Sequence, residues 1–226
     1  MSQPSLRSRL SRHFRTGRDR FLRELILAER ARVEGRFHIA DLGGRVDYWG
    51  RVGIDFLIAN DIHVTVINQT ADELYAGDGH ERFSLAVGDC CALDDVADNQ
   101  FDMVHSNSVI EHVGGYARKQ AFAREVNRIA PAHYVQTPNF WFPIDPHWPV
   151  MPFFHWLPLL WRWRLLMRFK LGWGGPHRSI AHAMGDLEGT VLVDGAQMRD
   201  LFPVSRIRAE RFALLAKSLI AARSRA

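Results

Sequence analysis

Two stretches of the sequence carry residue types that can bind a ligand or move a proton. In the first, ADLGG, Asp41 precedes the glycine pair Gly43 and Gly44 at the end of an apolar run. Glycine allows positive φ and a close approach of backbone to ligand, and ligands of open parallel sheets bind where strands end. The pair therefore indicates a ligand site, although no third glycine completes a dinucleotide-binding fingerprint.

The second stretch is FDMVHSNSVIEHVGG, residues 101–115, and it places Glu111 and His112 where we predict the start of a helix. An imidazole titrates near neutral pH, so His112 can serve as a general base. A histidine at a helix start can equally pack against its neighbours, and the residues alone favour neither interpretation.

Polar residues also stand where other predicted strands stop. They are Asn68, Asp89, Ser106 and Asn107. Since ligands of open parallel sheets bind at the carboxyl ends of the strands, these residues extend the site predicted at the glycine pair.

The elements that must position these residues alternate between strands and helices. Apolar and β-branched runs predict strands over 37–42, 62–67, 83–87, 101–105 and 133–137. Helices are predicted from the glycine pair to residue 58, over 116–129 and near 195–201. This alternation of strands and helices is typical of a parallel sheet covered on both faces. The final runs, 204–212 and 214–221, are predicted to form an antiparallel pair.

An insertion over 139–190 separates the fifth strand from that ending. Its large aromatic residues are Trp141, Phe142, Trp148, Phe153, Phe154, Trp156, Trp161 and Trp163. Three interpretations stay open: a lid or pocket for a flat or lipid-like acceptor, a helix packed on the sheet with its arginines reaching solvent, and peripheral membrane attachment. Charges on several sides of a helical wheel argue against the membrane helix.

The composition bounds the class of protein. With 226 residues, 47% of them hydrophobic and 24% charged, the chain is typical of one globular domain that needs no disulfide or structural metal. Adjacent Cys90 and Cys91 exclude a secreted disulfide scaffold. No apolar run is long enough to span a membrane and no secretory signal is present, so we expect a cytoplasmic protein.

Positive charge is concentrated at the N-terminus. Residues 1–36 hold ten arginines and four acids, a balance of +6, whereas the whole chain is +4. This predicts a basic helical arm over 1–35 and a second region over 36–226. An arm of this kind can contact nucleic acid or anionic lipid, or resemble a transit peptide, but an amphipathic helix with a solvated charged face fits better, and no nucleic-acid partner is expected.

Five motifs, taken in chain order, resemble those of the class I S-adenosylmethionine-dependent methyltransferases of the small bacterial methyltransferase-domain group. They are ADLGG, VTVINQ, VGDCCAL, FDMVHSNSVIEHV and VQTPNFWFPIDPH. The closing RAERFALLAKSLIA is similar to the final antiparallel pair of that fold. The resemblance covers about residues 36–222 and implies a seven-stranded Rossmann-like sheet, mostly parallel with the last strand antiparallel, and helices on both faces.

The resemblance implies S-adenosylmethionine as the cofactor and assigns residues to it. Asp41, Gly43 and Gly44 match the motif that holds the methionine moiety. Asn68 takes the position that usually carries an acid for the ribose hydroxyls, and an amide bonds hydroxyls without the strength that charge adds.

Further cofactor positions follow from the later motifs. Asp89 and the backbone of Cys90 match the position near the adenine amino group. Ser106 and Asn107 match the strand end beside the sulfonium and the transferring methyl.

Some relatives bind a divalent metal through Glu-x-x-Glu-His at the fourth motif. Here Ser108 replaces the first carboxylate before Glu111 and His112, which argues against a magnesium site. Asp145 and His147 can restore one only if the insertion folds over His112, and we expect no metal. Instead, His112, His147 and Glu111 are the predicted catalytic residues, with an imidazole as the base toward the acceptor.

The resemblance thus predicts transfer of a methyl group to an oxygen or nitrogen of a small-molecule or lipid-like acceptor. A nicotinamide-dependent oxidoreductase would need the glycine fingerprint that is absent. A protein of the same fold that binds S-adenosylmethionine without methyl transfer, peripheral to a membrane, is the alternative. The oligomeric state is not predicted.

Overall fold

The structure is a computed structural model that describes residues 6–74, 81–172 and 174–225, with side chains from residue 16 onward. Its elements, in chain order, are α1 Leu6–Arg30, β1 Phe37–Leu42, α2 Val46–Val52, α3 Ile54–Ala59, β2 Ile62–Asn68, β3 Phe83–Val87, β4 Met103–Asn107, α4 Tyr116–Ile129, β5 Ala132–Pro138, α5 Leu159–Arg168, α6 Ile180–Glu188, α7 Gly195–Leu201, β6 Arg206–Phe212 and β7 Leu215–Arg223.

The strands form one seven-stranded sheet in the order β3-β2-β1-β4-β5-β7-β6. β1 pairs in parallel with both β2 and β4, and β2 pairs in parallel with β3. β6 and β7 are antiparallel, with an irregularity between Glu210 and Arg211. The predicted fold class, a mostly parallel seven-stranded sheet that ends in an antiparallel pair, is confirmed.

Local patterns placed several elements correctly and merged others. β1, β3 and α4 have the predicted bounds. The single helix predicted after β1 is instead two helices, because Gly53 adopts φ +119 between α2 and α3.

β4 lies two residues later than predicted. Its apolar pattern stops at His105, but backbone pairing continues, and the Ser108 N–H still donates to the Gln136 carbonyl at 2.9 Å. Ser106 and Asn107 are therefore the last residues of the strand rather than residues beyond it.

The prediction that His112 opens a helix is wrong. Residues 108–115 form a series of turns, and α4 begins at Tyr116. Gly114 adopts φ +105, a conformation that a helix does not contain. His112 consequently lies on a turn, with its N–H bonded to the Val109 carbonyl.

The described chain divides into two compact units. The first comprises the residues up to Ser106, Val126–Tyr134 and those from Arg223 onward. In it, α1 buries Leu22 and Ile26, while Arg20 and Glu24 form an exposed ion pair. The side chains of Arg7, Arg9, Arg12 and Arg15, on which the predicted basic arm rests, lie outside the described residues.

The second unit comprises Asn107–Glu125 and Val135–Ala222 and includes the insertion. The insertion has a core of its own, made by Trp148, Phe154, Leu166, Leu171, Ala183 and Leu187. Other predicted aromatics face solvent, among them Trp141 and Trp161, which are 59% and 63% exposed. Among the described helices, none has the length and apolarity that crossing a bilayer would require.

Candidate functional site

The predicted glycine turn lies at the end of β1, in the first unit. Gly43 adopts φ +67, and its N–H donates to the Ile67 carbonyl at 2.8 Å. Gly43 and Gly44 are both half-buried, whereas Leu42 before them is buried. A left-handed residue here reverses the chain between β1 and α2 and leaves backbone within reach of a ligand.

Asp41 is fully buried, and the first unit uses both of its carboxylate oxygens. Oδ2 accepts from the Trp49 indole N–H at 2.8 Å, and Oδ1 lies 2.6 Å from Nδ1 of His105. A Cβ at position 44 would overlap this carboxylate. Gly44 is therefore required by Asp41 itself, and Asp41 supports the turn from beneath.

His105 is a residue of this region that the sequence analysis missed. Its ring stacks on Tyr134 at 5.6 Å between centroids and contacts Tyr48 and Trp49 at 4.8 and 5.0 Å. Its Nε2 is buried with no hydrogen-bond partner among the described residues. Only the pairing register of the strands could have indicated its role, because Asp41 of β1 lies opposite His105 of β4.

Asn68 lies beside the glycine turn. Its Nδ2 donates to the Gly44 carbonyl at 2.9 Å and to the Glu73 carbonyl at 3.3 Å. The amide thus ties the end of β2 to the turn after β1. A carboxylate, which can only accept, could not make either bond.

The remaining cofactor candidates of the first unit also stand at strand ends. Asp89 Oδ1 accepts from the Cys91 N–H at 2.9 Å, and Ser106 Oγ donates to the Leu42 carbonyl at 3.1 Å. Burial raises the pKa of the Cys90 thiol to about 12, so this thiol is an inert packing group. Asn107, half-buried, is the first residue of the second unit.

Three predicted catalytic residues meet in the second unit. Nε2 of His112 lies 3.1 Å from Nε2 of His147, with the two rings nearly perpendicular at 84°. Glu111 is fully buried, and Oγ1 of Thr137 donates to its Oε2 at 2.9 Å. One ligand atom from each of Glu111, His112 and His147 lies within 4.8 Å of the other two.

Burial sets the electrostatics of these groups. It raises the pKa of Glu111 to about 7, and the Thr137 hydroxyl and the charge of His147 oppose the rise. It also lowers the pKa of His112, and repulsion by His147 lowers it further. The Glu111 carboxyl can therefore take up or release a proton near neutral pH.

A cleft of about 850 Å³ opens beside the two histidines, also within the second unit. Its lining includes His112, His147 and Trp148, and the glycine-rich stretch at Gly174 and Gly175. This volume is in the range of small-molecule sites.

A second histidine cluster lies on the same cleft. Nε2 of His177 is 2.7 Å from Oδ2 of Asp186, and His182 lies four residues before Asp186 on α6. The ligand atoms of these three residues also lie within 4.8 Å of one another. The sequence analysis passed over them, although the spacing of four along a helix places two polar side chains on one face.

Comparison with known proteins identifies related sequences and folds. Residues 43–131 match the family model described as a methyltransferase domain. No curated protein matches the chain.

Solved structures extend the likeness over nearly the whole chain. A protein of Bordetella parapertussis shares 15% identity over 93% of this chain and 68% of its own, with a TM-score of 0.55. A protein of Pyrococcus horikoshii OT3 shares 14% over 92% and 91%, with a TM-score of 0.53. The magnesium protoporphyrin IX methyltransferase of Synechocystis PCC 6803, solved with bound SAH, shares 12% over 99% and 90%, with a TM-score of 0.54. At these identities the likeness concerns the fold.

Proposed function

We propose that this chain, a class I S-adenosylmethionine-dependent methyltransferase, methylates an oxygen or nitrogen of a small-molecule or lipid-like acceptor. The methyltransferase-domain match and the strand order support the class, and the class implies S-adenosylmethionine as cofactor. When bound, the cofactor supplies a methyl group already activated on a sulfonium. The chain must then orient the acceptor and dispose of its proton.

The first unit fits the cofactor at the turn after β1. Gly43 is left-handed and Gly44 is half-buried, so no side chain at either position blocks the backbone from a ligand. We assign five further positions to the same cofactor. They are Asn68, Asp89, the Cys90 backbone, Ser106 and Asn107. Asp41 contributes by supporting the turn, because both of its oxygens already have partners.

We assign acceptor activation to Glu111, His112 and His147. The observation that carries this assignment is the pair of imidazoles at 3.1 Å on the wall of the cleft. A proton released by an acceptor hydroxyl or amine can be taken up by an unprotonated imidazole of this pair. The burial of Glu111 keeps bulk water from its carboxyl.

The cleft favours an acceptor with a flat or apolar part. Trp148 and Leu171 line it beside the histidines, and the histidines supply its polar groups. This combination of apolar walls with a few convergent polar atoms is typical of small-molecule sites. It supports the lid or pocket interpretation of the insertion.

Calorimetric titration with S-adenosylmethionine and S-adenosylhomocysteine tests the cofactor part. We expect binding by the wild type and its loss in Gly44→Ala, where the new Cβ displaces Asp41. Gly50→Ala is the matched control, since nothing lies within 4 Å of a Cβ there, and it should bind normally. Absence of binding by the wild type would refute the proposal.

Release of S-adenosylhomocysteine in the presence of fractionated small-molecule and lipid extracts tests the transfer. We expect release that depends on one fraction and is lost in His147→Ala. Tight cofactor binding without release in any fraction would instead favour the binding protein without methyl transfer.

A further inference from the structure

The two imidazoles of the second unit face each other in an arrangement that needs a cation. Nδ1 of His112 lies 3.1 Å from the Gly189 carbonyl oxygen, which only accepts, so this nitrogen carries its proton. Nδ1 of His147 lies 2.7 Å from Oδ1 of Asp145, a carboxylate oxygen, and carries its proton too. In neutral rings, both Nε2 atoms then present lone pairs to each other across 3.1 Å.

Two lone pairs at this distance repel unless a positive charge lies between them or joins them. One added proton would join the two nitrogens, but it would leave the buried Oε1 of Glu111 without a hydrogen-bond partner among the described residues. A metal ion satisfies both nitrogens at once. Nitrogen ligands at 2.0–2.1 Å from a tetrahedral ion are separated by about 3.3 Å, close to the distance observed.

A third donor completes the set. Oε1 of Glu111 is buried and has no hydrogen-bond partner among the described residues, whereas Oε2 is held by Thr137. An unpaired buried carboxylate oxygen is costly, and a cation would remove that cost. Its ligand atom lies within 4.8 Å of those of both histidines, so small rotations bring all three onto one ion.

We propose that Glu111, His112 and His147 bind a divalent transition-metal ion of the zinc type, with its open coordination position toward the cleft. Two imidazoles and one carboxylate are the ligand set of catalytic zinc sites that keep one position for water or substrate. Resting on the proposed function, the inference adds that an acceptor oxygen or nitrogen binds this ion and loses its proton more easily there.

The surrounding residues have the positions of outer-shell partners. Ligand histidines commonly donate their second N–H to a carboxylate or a carbonyl, which fixes the ring and raises its basicity. Asp145 does so for His147 and the Gly189 carbonyl for His112. Asp145 is itself fixed, because its Oδ1 also accepts the His147 backbone N–H at 2.9 Å.

The donor set also explains why magnesium is not the ion we choose. Ser108 stands where a second carboxylate would supply another oxygen, and its Oγ bonds Oε1 of Gln136 at 3.2 Å instead. His147, from the insertion, brings a nitrogen in its place. Replacing oxygen by nitrogen shifts preference from hard cations toward zinc and its neighbours.

Zinc titration of chelator-dialysed protein tests the site. The titrations use a His182→Ala background, so that the cluster of His177, His182 and Asp186 cannot take the ion. We expect one equivalent of Zn²⁺ to bind, His147→Ala to weaken binding at least 100-fold, and Asp145→Asn to weaken it about 10- to 100-fold. His63→Ala, which alters a histidine of the first unit, should bind as the background does. Co²⁺ should give the visible absorption of a four-coordinate site with two nitrogen ligands and one carboxylate oxygen from the protein.

The outcomes separate the metal from the proposed function. Failure of the background protein to bind Zn²⁺, or equal binding by His147→Ala, overturns the metal site. If the imidazoles act only as bases, metal-free protein keeps full turnover while His147→Ala loses it, which overturns the inference and leaves the proposed function. If Zn²⁺ binds as expected but His147→Ala keeps normal turnover, the site stands and its role toward the acceptor fails.

Discussion

Each unit of this protein contains a carboxylate that bonds Nδ1 of a histidine, and the two pairs differ in solvent access rather than in bond length. Asp41 and His105 are 2.6 Å apart, buried and surrounded by aromatic rings. Asp145 and His147 are 2.7 Å apart, but the far nitrogen of His147 meets His112 at the wall of a cleft. We therefore expect such a pair to contribute stability where it is sealed, and we propose that it contributes to chemistry where Nε2 reaches a cavity.

Removing the sealed carboxylate should have the largest effect. In Asp41→Ala, His105 and the Trp49 N–H lose their buried acceptor, and each buried donor left unsatisfied costs about 1–3 kcal/mol of unfolding free energy. Urea denaturation measures the loss. Asp47→Ala, whose partner Arg45 is solvent-exposed, is the control and should leave the midpoint unchanged. A normal midpoint for Asp41→Ala would mean that the pair contributes nothing.

Removing the open imidazoles should act on turnover instead. His112→Ala and His147→Ala are expected to lower turnover per folded molecule about 100-fold or more, with cofactor affinity nearly unchanged. Both side chains face the cleft, so no core packing is lost. His63→Ala is the control with normal turnover. Reduced stability with normal turnover of the folded fraction would assign these histidines a packing role.

Acid should weaken the sealed region through His133. Burial lowers the pKa of this histidine to about 3, with help from Arg223, whereas an unfolded histidine titrates near 6.5. Below pH 6.5 the unfolded chain therefore binds a proton at His133 that the folded chain does not bind. The free energy of unfolding consequently falls as the pH falls. From pH 7.5 to 5 the contribution is about 2 kcal/mol.

The variant His133→Gln isolates that contribution. Urea denaturation over the same pH range should show a shallower fall for the variant than for the wild type. Equal slopes in the two proteins would show that folding does not lower the pKa of His133.

The smallest effect should come from the amide beside the glycine turn. Asn68→Asp replaces two donated hydrogen bonds, to the carbonyls of Gly44 and Glu73, by contacts between two acceptors. We expect it to lower the free energy of unfolding by about 1 kcal/mol and to weaken cofactor binding. Calorimetry and urea denaturation report the two losses. Exposed Asn99→Asp is the control. Tighter binding by Asn68→Asp would mean that a carboxylate at this position reaches the ribose, as the family pattern implies.

The sequence predicted the sheet because strand and helix patterns are local. β1, β3 and α4 have the predicted bounds, since alternating or 3.6-residue patterns decide burial within a few residues. The predicted range of β4 was two residues too early, because its last backbone pairs depend on neighbouring strands rather than on its own apolar residues. His112 was placed on a helix because nothing local shows that Gly114 takes positive φ.

Contacts between distant residues account for what the sequence did not predict. His112 and His147 are 35 positions apart, and Asp41 and His105 are 64 apart. The sequence could name His112 and His147 as residues with suitable chemistry, but only the folded insertion brings their rings together. Nothing in the pattern around His105 distinguished it from an ordinary strand residue.

The separate core of the insertion bears on how the proposed acceptor cleft can change. Trp148 belongs both to that core and to the wall of the cleft, and every member of the core lies within residues 139–190. Substitutions there can reshape the cleft while the glycine turn and its buried support keep their own packing. If the cleft binds the acceptor, as we propose, acceptor choice can diversify by exchange of this one contiguous segment, and chimeras that swap residues 139–190 should change the acceptor while keeping cofactor binding.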